Sequence, residues 1–130
     1  DNLHLLTEQG CAQMSKTGSR IKHIIGNSSV CCYISPSERA LQTSRLLQAH
    51  FKDQVVFGTI DPRIREQEFG NIIGERIHEQ YRERNAVGRF YYRFSDGESG
   101  ADVYDRVAAF WNDLMQVNLR PRSSENCVDN

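Results

Sequence analysis

The chain has 130 residues, with 16 Lys and Arg against 17 Asp and Glu and a formal charge of −1. Acids and bases are interspersed, so the basic footprint that drives nucleic-acid binding through counterion release is absent. The length fits about one domain, and no apolar run approaches the roughly 20 residues that cross a bilayer.

Thr7-Glu8-Gln9-Gly10 reads as a capped helix start, with the helix running to about Ile25 before Gly26-Asn27. Its inward face is expected to carry Cys11, Met14, Ile21, Ile24 and Ile25. Val30 to Ile34 then forms a buried strand that ends directly on a second helix. There Ser35 is placed to cap, Pro36 fits the first turn, and Glu38 can reach back to the cap amide. A helix opening at a strand's carboxyl end presents unpaired amides and a positive dipole end where open α/β sheets bind ligands. Arg39, in that first turn, has a guanidinium fork that matches two phosphate oxygens. The same spacing also fits a well-capped helix with a solvated arginine. The helix continues to about Phe51, and a second strand, Gln54 to Thr59, follows. This strand, helix, strand order predicts parallel pairing through a right-handed crossover, with helices covering the sheet.

The stretch from Asp61 to Gly97 is irregular and long enough to suggest a binding loop or lid. It holds Arg63-Ile-Arg65-Glu66-Gln-Glu68-Phe69-Gly70, a polar helix around Gly74 to Arg84, and the cluster Phe90-Tyr91-Tyr92-Arg93-Phe94. Glu98 or Ser99 begins an amphipathic helix with Val103, Val107, Phe110, Trp111 and Leu114 on one face, which reads as core. The tail after Leu119 is polar and looks like a surface connection.

Of the four cysteines, Cys31 and Cys32 are adjacent in a strand and so point to opposite faces, while Cys11 and Cys127 stand apart. They read as reduced packing residues, which favours a reducing, cytoplasmic compartment. Neither a CxxC pair nor a histidine at zinc-ligand spacing occurs, so no metal and no cofactor is expected.

Taken together, the segments resemble the histidine phosphatase superfamily, the phosphoglycerate-mutase-like fold. The matching pieces are Leu6-Thr7-Glu8-Gln9-Gly10 with Gln13, Ser35-Pro36 with Arg39, Ala40, Gln42 and Thr43, Arg63-Ile-Arg65-Glu66 with Phe69-Gly70, and Gly97-Glu98-Ser99 with Asp102 and Arg106. They occur in the family's order. Arg63 to Gly70 and Gly88 to Phe94 are most similar to a plant- and protist-type group of phosphoglycerate-mutase-like proteins. The resemblance implies a three-layer α/β/α architecture with a mostly parallel sheet. It also implies a phosphohistidine mechanism, in which one His attacks phosphorus, an acid protonates the leaving oxygen, and two Arg with a second His hold the phosphoryl oxygens.

Residue by residue, Arg39 matches the phosphate-holding arginine and Glu66 matches the acid. Without the resemblance, Glu66 reads as an exposed charge among Arg63, Arg65 and Glu68. The family's RHG and HG motifs, which carry its two catalytic histidines, do not occur here, and none of the four histidines is followed by Gly. The expectation is therefore a single partial domain over 1–130, truncated, internally cut or differently assembled, and inactive as it stands. Apolar faces left open would cost more than a usual net stability of about 5–15 kcal/mol, so a second copy completing exposed sheet edges is one expected partner.

The expected substrate is a small phosphomonoester, with hydrolysis ahead of mutase action because no mutase-like basic, proline-rich insertion lies between Gly70 and Gly97. Arg82, Arg84, Arg89, Tyr91, Tyr92 and Arg93 would form a lid for an anionic substrate, somewhat like the sugar-phosphate stretch of the superfamily's fructose bisphosphatases. Residue chemistry alone also fits a packed aromatic cluster with solvated arginine heads. The other readings are a non-catalytic phosphate- or partner-binding module, a phosphoglycerate mutase, or an unrelated α-rich interaction domain.

Overall fold

Thr7 opens the first helix, α1 (Glu8–Ile25), by accepting a hydrogen bond from the Gly10 N–H at 3.1 Å. The computed structural model describes residues 5–70 and 76–119. The expected helix start at Gly74, Cys127, and the tail from Arg120 lie outside these residues. The remaining elements are β1 (Val30–Ile34), α2 (Glu38–Gln48), β2 (Val55–Ile60), α3 (Arg76–Val87) and α4 (Gly100–Leu119). The chain divides between Glu68 and Phe69 into two compact units.

In the first unit, β1 and β2 pair in parallel, as the order of elements predicts. Val30 faces Val55, and after a bulge the register runs from Cys31 opposite Phe57 to Ile34 opposite Ile60. β2 starts one residue later than expected because Lys52–Gln54 forms a 3-10 turn. The Gln54 amide instead donates to the carbonyls of Gly26 and Ser28, at 2.7 and 2.9 Å, which ties down the loop that leads into β1.

The start of α2 is also displaced. Its cap is Ser37, not Ser35, with Oγ accepting from the Ala40 N–H at 3.4 Å. Pro36 therefore lies in the turn before the helix, and Glu38 is its first residue, beside the positive dipole end. At the other end the helix closes at Gln48, because His50 and Phe51 turn back onto the carbonyls of Leu47 and Gln48. Phe51 is thereby buried.

Helices α1 and α2 pack together through Gly18, the one buried residue of α1. A Cβ there would come to 2.5 Å from His50 Cδ2 and 3.1 Å from the Leu47 carbonyl oxygen, so only a bare backbone permits this approach. Cys11, Met14, Gly18, Ile21 and Ile25 recur at three- and four-residue spacing and are at least half-buried, whereas Ile24 falls off that stripe and is 78% exposed. The pattern of apolar letters alone includes Ile24 and omits the glycine. Cys11, Cys31 and Cys32 are free thiols, and burial, with Cys31 alongside, pushes the Cys32 thiol up.

The second unit is organised by rings. Phe69 meets Phe94 edge-on at 5.2 Å, and Tyr92 meets Phe94 at 5.2 Å; Tyr92 and Phe94 are its buried apolar residues. The expected core face of α4 is only partly covered. Val103, Phe110 and Leu114 are half-buried, but Val107 and Trp111 are exposed and line an open apolar groove with Tyr104 and Ala108. The helix therefore has the amphipathicity of a packed element without burying that whole face among the described residues. No described helix is long and apolar enough to cross a membrane.

Gly70 has φ +66°, and a Cβ on it would overlap the Ser95 carbonyl oxygen. Gly70→Ala is expected to cost at least about 1–2 kcal/mol, the ordinary penalty for left-handed backbone. The check is a lower urea midpoint at unchanged slope.

Candidate functional site

Because β1 and β2 are parallel and end side by side, Ile34 opposite Ile60, the loops that follow them open on the same edge of the sheet. The first loop leads through Ser35 and Ser37 into α2, whose opening turn carries Arg39. The second begins at Asp61 and carries Glu66. Although separated by 27 positions in sequence, the two side chains meet: Arg39 Nη2 donates to Glu66 Oε2 at 3.5 Å. Their side chains are 52% and 71% exposed, so the pair contributes little to stability and the guanidinium stays open to a ligand.

Beside this pair lies a cleft of about 660 Å³, lined in part by Ser35, Ser37, Arg39, Thr43 and Cys32. A guanidinium, hydroxyls and a helix start at the carboxyl edge of a parallel sheet make a donor set suited to a tetrahedral anion. Among the described residues no group of three His, Cys, Asp or Glu stands close enough to hold a metal ion.

Two supporting contacts were not legible as such in the sequence. Asp61 takes both the Arg63 backbone N–H (2.9 Å) and the Arg63 guanidinium (Nε 3.0 Å, Nη2 2.8 Å) on its carboxylate. These bonds to Arg63 hold the Asp61 carboxyl below its usual range. The Asp-Pro-Arg string just past a strand is the signal that could have revealed this turn. Gln42 accepts from the Leu6 N–H at 2.7 Å, joining α2 to the segment that enters α1.

The aromatic segment, in the second unit, separates into different tasks. Tyr92 is buried and its hydroxyl donates to Glu83 Oε2 at 2.8 Å; burial first, and that carboxylate second, push the phenol up. It is therefore a packing residue and not part of an outward-facing lid. Tyr91 is 73% exposed and stacks edge-on against Phe90 at 5.0 Å, while Arg89 is exposed. Arg93 is exposed but tethered, with Nη2 donating to Asp102 Oδ1 at 2.6 Å. Arg84 lies over the Tyr81 ring at 4.6 Å, and its Nε is buried with no hydrogen-bond partner among the described residues.

The profile of the histidine phosphatase superfamily (branch 1) matches residues 4–120. The chain belongs to the histidine phosphatase superfamily. A phosphoglycerate mutase-like protein of Arabidopsis thaliana is 40% identical to it over 140 residues, which cover 95% of the chain and 50% of that protein. A broad-range acid phosphatase of Saccharomyces cerevisiae is 47% identical over 57 residues, 43% of the chain and 17% of that protein. Among solved structures, an alpha-ribazole phosphatase from Shigella flexneri superposes with a TM-score of 0.69 at 22% identity, covering 87% of the chain and 56% of its own. That likeness is one of fold, the α/β phosphoglycerate-mutase-like type. The chain spans about half the length of the plant relatives it matches. The resemblance read from four ordered motifs is thus confirmed for superfamily and fold.

Asp102 fixes the start of α4: its carboxylate accepts from the Ser99 N–H and Oγ, each at 2.7 Å, and from Arg93. The Ser99 bonds, then Arg93, hold its carboxyl down to about 2 from an ordinary 3.8. A depressed carboxyl stabilises the folded state fully above its unfolded value and loses that effect as pH falls through the folded one. Asp102→Asn is therefore expected to be less stable than the parent at neutral pH, with the gap closing between about pH 4 and pH 2. Acid-unfolding curves of the two proteins by circular dichroism test this.

Proposed function

We propose that this chain is part of a phosphoryl-transfer domain that hydrolyses a small phosphomonoester through a phosphohistidine. The observation that carries the reading is the meeting of Arg39 and Glu66 at the shared carboxyl edge of β1 and β2. In this reading Arg39 holds equatorial phosphoryl oxygens, where charge builds as the reaction proceeds. The attacking imidazole forms a bond to phosphorus as the bond to the leaving oxygen breaks. Glu66 gives its proton to that oxygen, and water then cleaves the phosphohistidine. The imidazole belongs to the family's RHG element, which these 130 residues do not include.

Hydrolysis is favoured over mutase action because the yeast relative is named a broad-range acid phosphatase, and its similarity falls on a chain whose Arg39 and Glu66 sit close enough to face one phosphate. Tyr91, Arg89 and Arg93 are the proposed substrate-facing residues of the second unit. Arg93 would have to leave Asp102 to reach an anion. The free thiols of Cys11, Cys31 and Cys32 support a reducing, cytoplasmic setting.

A second reading is a non-catalytic phosphate binder, which the exposed Arg39 guanidinium beside the cleft would serve equally well. Turnover of p-nitrophenyl phosphate by the protein in its natural length separates the two. Hydrolysis is expected, with Arg39→Ala lowering kcat/KM by on the order of 10²–10³-fold, as for loss of one donor to a developing oxyanion. Phosphate binding without turnover supports the binding module, and an Arg39→Ala protein of unchanged activity rejects the site.

A further inference from the structure

The Arg39–Glu66 ion pair is long and solvent-exposed, so it contributes little to placing the carboxylate. The backbone that delivers Glu66 is held much more firmly. Asp61 is the first residue after β2, and its N–H donates to the Ile34 carbonyl at 2.9 Å, the last carbonyl of β1. Its side chain, 14% exposed, clasps Arg63 through the backbone N–H and the guanidinium together. Between them Pro62 opens a 3-10 turn closed by Ile64 N–H to the Asp61 carbonyl (3.3 Å) and Arg65 N–H to the Pro62 carbonyl (3.2 Å). Arg65 then leaves in extended conformation, φ −71° and ψ 160°, directly into Glu66. One residue thus grips the end of the strand that leads to Arg39 and the turn that leads to Glu66.

We propose that Asp61 is the positioning residue of the site: its clasp on Arg63 sets the distance between the Glu66 carboxyl and an anion on Arg39, without touching substrate itself. The inference rests on the phosphatase reading for its kinetic consequence, but its geometric part does not. A proton from Glu66 matters most when the departing oxygen is a poor leaving group, because that oxygen carries the electron pair of the broken P–O bond and must be neutralised. It matters little for p-nitrophenolate, which leaves unprotonated.

The test compares glycerol phosphate with p-nitrophenyl phosphate in the natural-length protein. Asp61→Ala is expected to lower kcat on glycerol phosphate by about tenfold or more, as for impaired general-acid catalysis, while kcat on p-nitrophenyl phosphate stays nearly unchanged. Glu66→Gln, which removes the acid itself, should lose more on glycerol phosphate than on p-nitrophenyl phosphate. Asp61→Asn, which keeps an acceptor for the Arg63 N–H, should recover part of it and is the variant to use where the alanine protein does not fold. Equal losses on both substrates overturn the proposal, since a merely structural role slows both alike.

A protein that turns over neither substrate rejects the phosphatase reading, and the positioning role is then read from inorganic phosphate titrated calorimetrically. Glu66→Gln should tighten phosphate several-fold by removing a like charge beside Arg39. Asp61→Ala should tighten it too, because the carboxylate is no longer held there. Phosphate affinity that rises in Glu66→Gln but stays at the parent value in Asp61→Ala overturns the positioning role.

Discussion

The geometry of the candidate site depends on one constraint: two neighbouring parallel strands that stop in register. Parallel pairing sends both chain exits to the same edge, and the hydrogen bond from Asp61 to the Ile34 carbonyl extends that alignment one residue past the ladder. Side chains 27 positions apart come within ion-pair distance as a result. Antiparallel strands with the same sequences would have placed the two loops at opposite ends of the sheet. The bulge after Val30 lies at the far end, so it leaves the register at Ile34 and Ile60 intact.

Rigid and open parts are distributed in keeping with that constraint. The contacts that fix backbone at the site are short and partly shielded, as at Asp61 and Gln42, while the pair that meets solvent is long. Exposed ion pairs exchange partners at little cost, so a guanidinium held in this way is already available to a competing anion. In the second unit the same economy appears differently. Asp102 joins a helix start, a serine and an arginine in one carboxylate, and Tyr92 spends its hydroxyl on Glu83.

Much of this was legible from residue order. The strand Val30–Ile34 was visible as an apolar run, Thr7 as a cap, and the parallel pairing followed from the short helix between two strands. Glu66 was visible as a site residue only through the four-motif resemblance, because a glutamate among other charges has an ordinary surface reading, whereas Arg39 already stood out as a phosphate candidate from its place in the first helical turn, with a solvated arginine as the equal alternative. What stayed hidden was whatever depends on exact rotation or on distant neighbours. Ser35 and Ser37 are equally good caps by type, and the extended backbone at Ser37 decides between them. Tyr91 and Tyr92 are indistinguishable as letters, yet one faces solvent and the other is buried beside Phe94. The packing role of Gly18 is invisible to any hydrophobic pattern, since what it provides is the lack of a side chain.

The open side of α4 has a practical corollary. Trp111 is the only tryptophan of the chain, and its indole is 57% exposed on that side. Tryptophan emission of these 130 residues, excited beyond the tyrosine band, therefore reports on a single place, red-shifted while water surrounds the ring and blue-shifted once anything apolar covers it. Quenching by iodide or acrylamide can follow the wetting of that helix in the 130-residue chain, with no dye and no second indole among those residues to correct for.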